Sequence, residues 1–245
     1  MTQIPSKKIK IASIISGIVL LIIIGIILFK FIDKTTPDSI PTVTDAIVRG
    51  FTFLDMHADS ILTDSARDRL RKSLGSEAIE KKTVLDLEMH YPGFLENYFP
   101  DLNELNKQLN FEGGRRTRIE HNTTKLIYRY STTFHYVELF FSNYTQKPLL
   151  FRVKAKRDGM DYLATLQQKY GEPREVVWQN QKGKSLFWKL DKDVLILSLF
   201  VDQYDQPQFE IMICRAENIE ELLTTEKKES RQRKTGKTEA GRKLF

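Results

Sequence analysis

The run from Ile11 to Phe29, IASIISGIVLLIIIGIILF, holds nineteen residues without a charge, closed by Lys10 and Lys30. At helical rise it spans roughly 28 Å, close to the hydrocarbon thickness of a bilayer. Each Ile, Leu, Val or Phe favours insertion by about 0.3–0.6 kcal/mol, which outweighs Ser13, Ser16, Gly17 and Gly25. Lipid leaves the backbone only helix as a way to satisfy its hydrogen bonds here, despite the many β-branched residues. The run is longer than the apolar part of a secretory signal, and no small-x-small cleavage site follows it. A lipoprotein is excluded by the cysteines, since Cys214 is the only one. The sequence thus predicts an uncleaved single-pass anchor.

Lys7, Lys8 and Lys10 precede the span, and Lys30 and Lys34 follow it. The positive-inside bias therefore puts the N-terminus in the cytoplasm and the rest of the chain outside it. Ser13, Gly17, Leu21 and Gly25 share one helix face, a spacing that lets two such helices approach and form a homodimer.

Composition bounds what the remainder can be. About 200 residues suffice for one sizeable domain or two small ones. A single cysteine cannot close an intrachain disulfide, so the domain rests on its core alone. Cys214 lies in an alternating apolar strand and reads as a buried, inert thiol. The net charge of +6 gathers at the end of the chain, where Glu226 to Phe245 carries eight basic residues against three acidic ones. That tail reads as solvated, with anionic lipid headgroups or nucleic-acid phosphates as its alternative partners. No specific nucleic acid is expected as a partner of the folded region, which is near neutral.

Periodicity divides the chain into a cytoplasmic N-terminus (1–10), the transmembrane helix (11–29), a linker (30–44) holding Pro37 and Pro41, a helical region (45–110), an antiparallel β-rich α/β domain (111–216), and a helix with a basic disordered tail (217–245). In the helical region, Ala46 to Leu62 recurs at helical intervals. Thr63 or Asp64 caps a helix through Leu74 with Gly75 as its stop, Ser76 opens another through His90, and Asp101 opens a third. From Phe111 the period becomes two. Strands are predicted at 116–121, 125–131, 134–142 and 148–155, then a helix capped by Asp158, then strands at 174–181, 184–190, 193–201 and 207–214. Asn218 is expected to cap the last helix, which should fray past Thr225.

The fold class is therefore α+β: an N-terminal transmembrane helix, a short helical region, and an antiparallel sheet of about eight strands in two β-meander blocks separated by a helix. Phe111–Ala155 and Tyr170–Cys214 align without a gap, Arg115 meeting Arg174, Lys125 meeting Lys184, Phe141 meeting Phe200 and Pro148 meeting Pro207. A tandem α-β4 repeat and a single meander with an inserted helix both fit this pattern.

Candidate chemistry is sparse. Asp55, His57 and Asp59 form D-x-H-x-D, which on a strand would aim three metal ligands from one face and would suit a metal-dependent hydrolase. On the predicted helix, His57 points away from the two carboxylates. His90, His121 and His135 stand isolated in sequence, and a metal site needs three or four converging ligands. His121, beside a predicted turn, reads as solvated, and His135 as packed or half-exposed on a sheet. Gly113-Gly114 before Arg115, Arg116 and Arg118 lacks the residues of a phosphate-binding loop and reads as a turn. No catalytic, metal or cofactor residue is assigned, and no enzymatic activity is expected.

Lys169-Tyr-Gly-Glu-Pro173, followed by a strand with Trp178, resembles a pattern of uncharacterised bacterial single-pass envelope proteins. That resemblance implies a small extracytoplasmic α/β module and a bacterial source. Together with the anchor and its orientation, the expectation is a bacterial inner-membrane protein whose extracytoplasmic domain binds another envelope component. A reporter active only in the cytoplasm, fused after Phe245, is expected to be silent in cells; activity there would reverse the orientation.

Overall fold

The computed structural model describes residues 50–244, apart from 113, 132, 157–159 and 180–181. They belong to one compact unit, Thr42–Phe245. The predicted anchor, its dimerisation face at Ser13, Gly17 and Gly25, and the linker lie outside the described residues. Among the described residues, no helix is long and apolar enough to cross a membrane.

The elements in chain order are α1 (Asp64–Leu74), β1 (Glu77–Val84), α2 (Phe94–Tyr98), α3 (Pro100–Asn110), β2 (Phe111–Glu112), β3 (Arg115–Arg116), β4 (Glu120–Arg129), β5 (Phe134–Ser142), β6 (Pro148–Ala155), α4 (Met160–Tyr170), β7 (Arg174–Val177), β8 (Gly183–Leu190), β9 (Asp193–Val201), β10 (Pro207–Cys214) and α5 (Ala216–Leu244). Eight strands form one antiparallel sheet in the order β1-β4-β5-β6-β10-β9-β8-β7. Two four-strand meanders thus meet at their last strands. Each begins with an eleven-residue helix, α1 or α4, that stops at a glycine of positive φ, Gly75 or Gly171. Only glycine takes that conformation at little cost.

Strand alternation builds two cores. On one face Leu126, Leu139, Phe151, Ile211, Leu197 and Leu186 pack under α1, α4 and the segment from Phe51 to Leu62. On the other, Phe140, Leu150, Met212, Ile196 and Phe187 pack under α2, α3 and the first turns of α5. A fully buried Leu or Phe gains roughly 1.5–3 kcal/mol over an exposed one, so both layers stabilise the sheet strongly.

Several expectations are corrected. The segment read as a helix from Ser76 is the edge strand β1, paired with β4 from Glu77↔Tyr128 onward. Its charges, Glu80, Lys81 and Lys82, face solvent and suit an edge, where they discourage pairing with other chains. Residues 50–62, expected to be helical, form an irregular segment with a Phe53↔Met56 bridge. Leu54 and Asp55 there adopt positive φ, which a helix forbids. No break occurs at Asn122: β4 runs through it, because Thr123 and Thr124 are buried β-formers. The hairpin β2–β3 turns at Gly114, with φ +77°, as the Gly-Gly pair suggested. Asn218 does not cap α5 but lies buried in its first turn and donates to the carbonyls of Ala58 and Pro148. α5 continues to Leu244 instead of fraying past Thr225.

The gapless alignment holds for pairing but not for facing. Lys125↔Phe140 recurs as Lys184↔Leu199, and Val137↔Val153 as Ile196↔Met212, 59 positions on in each case. Yet Leu126 and Leu139, in the first core, then correspond to Ser185 and Ser198 on the opposite face. An odd offset exchanges the faces because corresponding strands keep the same parity inward, even in β4 and β8 and odd in β5 and β9. In place of a predicted first strand near 116–121, the first meander opens with β1, and residues 85–119 are inserted between β1 and β4.

That insertion starts with an extended strap, Leu85–Tyr91, crossing the second face of the sheet. Seven residues reach at most about 23–25 Å, and the five spacings from β4 to β8 total about 24 Å. Its backbone bonds alternate. Asn110 Nδ2 donates to the Leu85 carbonyl and Leu87 N–H donates to Asn106 Oδ1, both from α3. Arg152 Nη2 donates to the carbonyls of Asp86 and Glu88, at 2.8 Å each, from β6. At its far end Tyr91 stacks on Trp178, centroids 5.6 Å apart, and Phe200 lies between Trp178 and His90. Trp178 in turn donates from Nε1 to the buried Ser185 hydroxyl.

Gly183 makes this seat. A Cβ there would meet Phe200 Cβ at 2.7 Å, the Leu199 carbonyl oxygen at 2.8 Å and the Trp178 ring at 2.8 Å. Gly183→Ala is expected to lower stability by about 1–3 kcal/mol, the usual cost of overpacking, in chemical denaturation. Gly171→Ala, which has open space, should show only the smaller cost of its positive φ.

Candidate functional site

The D-x-H-x-D residues lie on the surface turn of the irregular segment, where Asp55 and His57 are exposed and Asp59 likewise. Among the described residues no three His, Cys, Asp or Glu side chains are grouped to hold a metal ion. The turn at Leu54 and Asp55 carries them apart, so the hydrolase arrangement of Asp55, His57 and Asp59 does not form. His135 is exposed on β5. Cys214 is fully buried in the β6–β10 seam, and burial pushes its thiol up to about 12. A thiol so shielded is not a nucleophile.

The groups that do converge are ones sequence pattern passed over. Where the strap crosses β5, β6 and β10 it closes a basin of about 260 Å³. Register sets its floor: Tyr136 lies opposite Lys154 and Lys154 opposite Glu210, with Glu138 opposite Arg152 in the next row. Period-two alternation places all five on one face. His90 comes from the strap, its Nε2 2.9 Å from Glu210 Oε2. Burial, the largest influence, acts to raise the Glu210 pKa. The bond to His90 and the charges of His90, Arg152 and Lys154 outweigh it and hold the carboxyl below its usual range. Tyr136 donates to Glu138 at 2.8 Å, and burial together with that bond pushes its hydroxyl up to about 12. Lys125 reaches Glu80 at 2.6 Å and Glu138 at 3.5 Å. In sequence, Arg152, Lys154 and Glu210 look like the polar side of half-solvated strands. Only the strap turns that side into an enclosure.

A second depression of about 800 Å³ lies between α2 and the β7–β8 edge. Its walls are aromatic, including Phe51, Tyr98, Tyr170 and Phe187, and Arg174 and Lys189 stand on its rim. Phe99 and Phe187 meet edge to face at 4.8 Å, which fixes the wall. Its volume falls in the range of ligand-binding clefts.

His121, expected to be solvated, is 2% exposed and ties α5 to the domain. Its Nε2 is 3.0 Å from the Leu109 carbonyl oxygen and its Nδ1 is 2.7 Å from Glu226 Oε2. The other Glu226 oxygen accepts from Asn122 N–H, and Glu229 accepts from the Tyr144 hydroxyl one turn on. Both ring nitrogens of His121 face acceptors, and only the doubly protonated ring donates to both. Burial, the largest influence, opposes that charge, but Glu226 and the Leu109 carbonyl outweigh it and raise the His121 pKa.

A raised histidine pKa contributes stability that is complete below the unfolded value of about 6.5 and is lost as pH climbs through the folded value. The denaturation midpoint is therefore expected to fall as pH rises above about 6.5 and through the folded-state value. His121→Gln should remove that part of the pH dependence. An identical slope in both proteins would show that the ring is not charged in the fold.

Compared with known proteins, the chain matches no family model, no curated protein sequence and no solved structure.

Proposed function

We propose that this protein is a single-pass, membrane-tethered binding protein, whose extracytoplasmic α+β domain takes a partner from the bacterial envelope. In this reading Ile11 to Phe29 holds the domain at the inner membrane, and the domain itself is a tandem of two α-β4 units sharing one sheet. The observation that carries the binding role is the pairing of the basin carboxylates. Glu88 is bonded to Arg116, Glu138 to Tyr136 and Lys125, and Glu210 to His90. Carboxylates held this way shape a surface; they are poorly placed to shuttle protons, which calls for a group within reach of a reacting atom. The aromatic depression beside α2 supplies a second contact surface of ligand-binding size.

One observation favours a second reading, a cytoplasm-facing domain whose tail engages nucleic acid or anionic lipid. α5 stays helical to Leu244, while Glu226 and Glu229 turn to His121 and Tyr144 and leave Lys228 and Arg231 exposed. Membrane fractions separate the two. The protein is expected to resist a carbonate wash, and its domain to be cut by protease in spheroplasts. Release by carbonate would remove the tether, and a domain protected in spheroplasts would favour the cytoplasm-facing reading.

A further inference from the structure

The charged groups around the basin are not all engaged in the same way. All three carboxylates on its walls have partners within the fold: Glu88 with Arg116, Glu138 with Tyr136 and Lys125, Glu210 with His90. The two strand cations, Arg152 and Lys154, bear on Glu210 through their charge, but neither is bonded to a carboxylate among the described residues. Arg152 spends Nη2 on the neutral carbonyls of Asp86 and Glu88. Its Nε is buried without a partner. Its Nη1 also has no partner among the described residues, yet is not sealed from solvent as Nε is. Lys154, two residues along the same strand and on the same face, makes no ion pair among the described residues and is exposed. Arg129 adds a third positive charge at the rim, over the Tyr136 ring at 6.0 Å.

A guanidinium fixed by two main-chain carbonyls cannot swing away to find a counter-ion. Fixed donors recognise anions better than mobile ones, because little rotamer freedom is lost on binding. We infer that the basin is an oxyanion site, in which Arg152 Nη1 and Lys154 Nζ hold the carboxylate or phosphate group of a small ligand. The volume of about 260 Å³ limits the enclosed part to a small group. The paired carboxylates around it would reject a ligand bearing further negative charge close to that group. This site deepens the binding role proposed above and does not depend on where the domain lies.

The test uses the full chain, isotope-labelled in detergent micelles, titrated with sodium acetate, sodium phosphate or sodium chloride at equal ionic strength. Amide resonances of residues 136–138 and 152–154 are expected to shift and saturate with acetate or phosphate but not with chloride. Saturation by acetate alone identifies a carboxylate ligand, by phosphate alone a phosphate. Lys154→Gln, at an exposed position, should weaken the apparent Kd about tenfold, the loss expected for one charge-assisted hydrogen bond. Lys81→Gln on β1 should not change it. Shifts that fail to saturate, that are equal with all three salts, or that are unchanged in Lys154→Gln would overturn the site. Release from membranes by carbonate would leave this result untouched, so failure of the tether and failure of the site are distinguishable.

Discussion

The pairing of β6 with β10 is the interaction on which the architecture depends. Six residue pairs, from Phe209↔Ala155 to Cys214↔Leu150, join two meanders that would otherwise be separate four-stranded sheets. Both strands are covered on the first face, and on the second near Leu150 and Cys214, which is why Leu149, Phe151, Val153, Met212 and Cys214 are all nearly inaccessible. Immediately after the seam, Arg215 is 1% exposed, with Nη1 on Asp193 at 2.7 Å and Nη2 on the Phe51 carbonyl. Burial pushes the Asp193 carboxyl up against the pull of that guanidinium. A buried pair of this kind gains little over an apolar one, but it fixes which segments meet. Here it ties the start of β9, the end of β10 and the first described residues of the domain to one point.

From that seam the asymmetry of the molecule follows. The first face is covered alike in both halves, by α1 and α4. On the second face the insertion between β1 and β4, together with the first turns of α5, supplies the cover. The strap divides that face into an apolar part under α2, α3 and α5 and a charged part left open beside it. Its backbone polar groups must be satisfied, and Arg152, Asn106 and Asn110 satisfy them from either side. Arg152 therefore serves two ends at once: it anchors the strap and presents its remaining nitrogen to the basin the strap encloses.

Much of the sheet was legible. The bounds expected for β5, β6, β9 and β10 coincide with those observed, because each is an unbroken alternating or, in β9, continuously apolar run, and the turns are marked by Ser, Asn, Asp and Pro. α1 was legible through Thr63, whose hydroxyl accepts from Ala66 N–H, and through Gly75. What misled was β1. EAIEKKTV has the charge pattern of an exposed helix, and only an edge position explains so polar a strand. The apparent repeat misled in a subtler way, since hairpin lengths preserve register while a one-residue difference exchanges faces.

Sequence alone determined the α+β class and an antiparallel sheet of about eight strands. These depend on local periodicity and turn chemistry, which neighbouring residues encode. The tertiary structure decided which polar residues are solvated and which are enclosed. His121, Arg152 and Glu210 sit in stretches like many exposed ones, and their burial comes from partners 64 to 120 residues away in the chain. A side chain's surroundings are set by such distant contacts, so no window of sequence around it contains them.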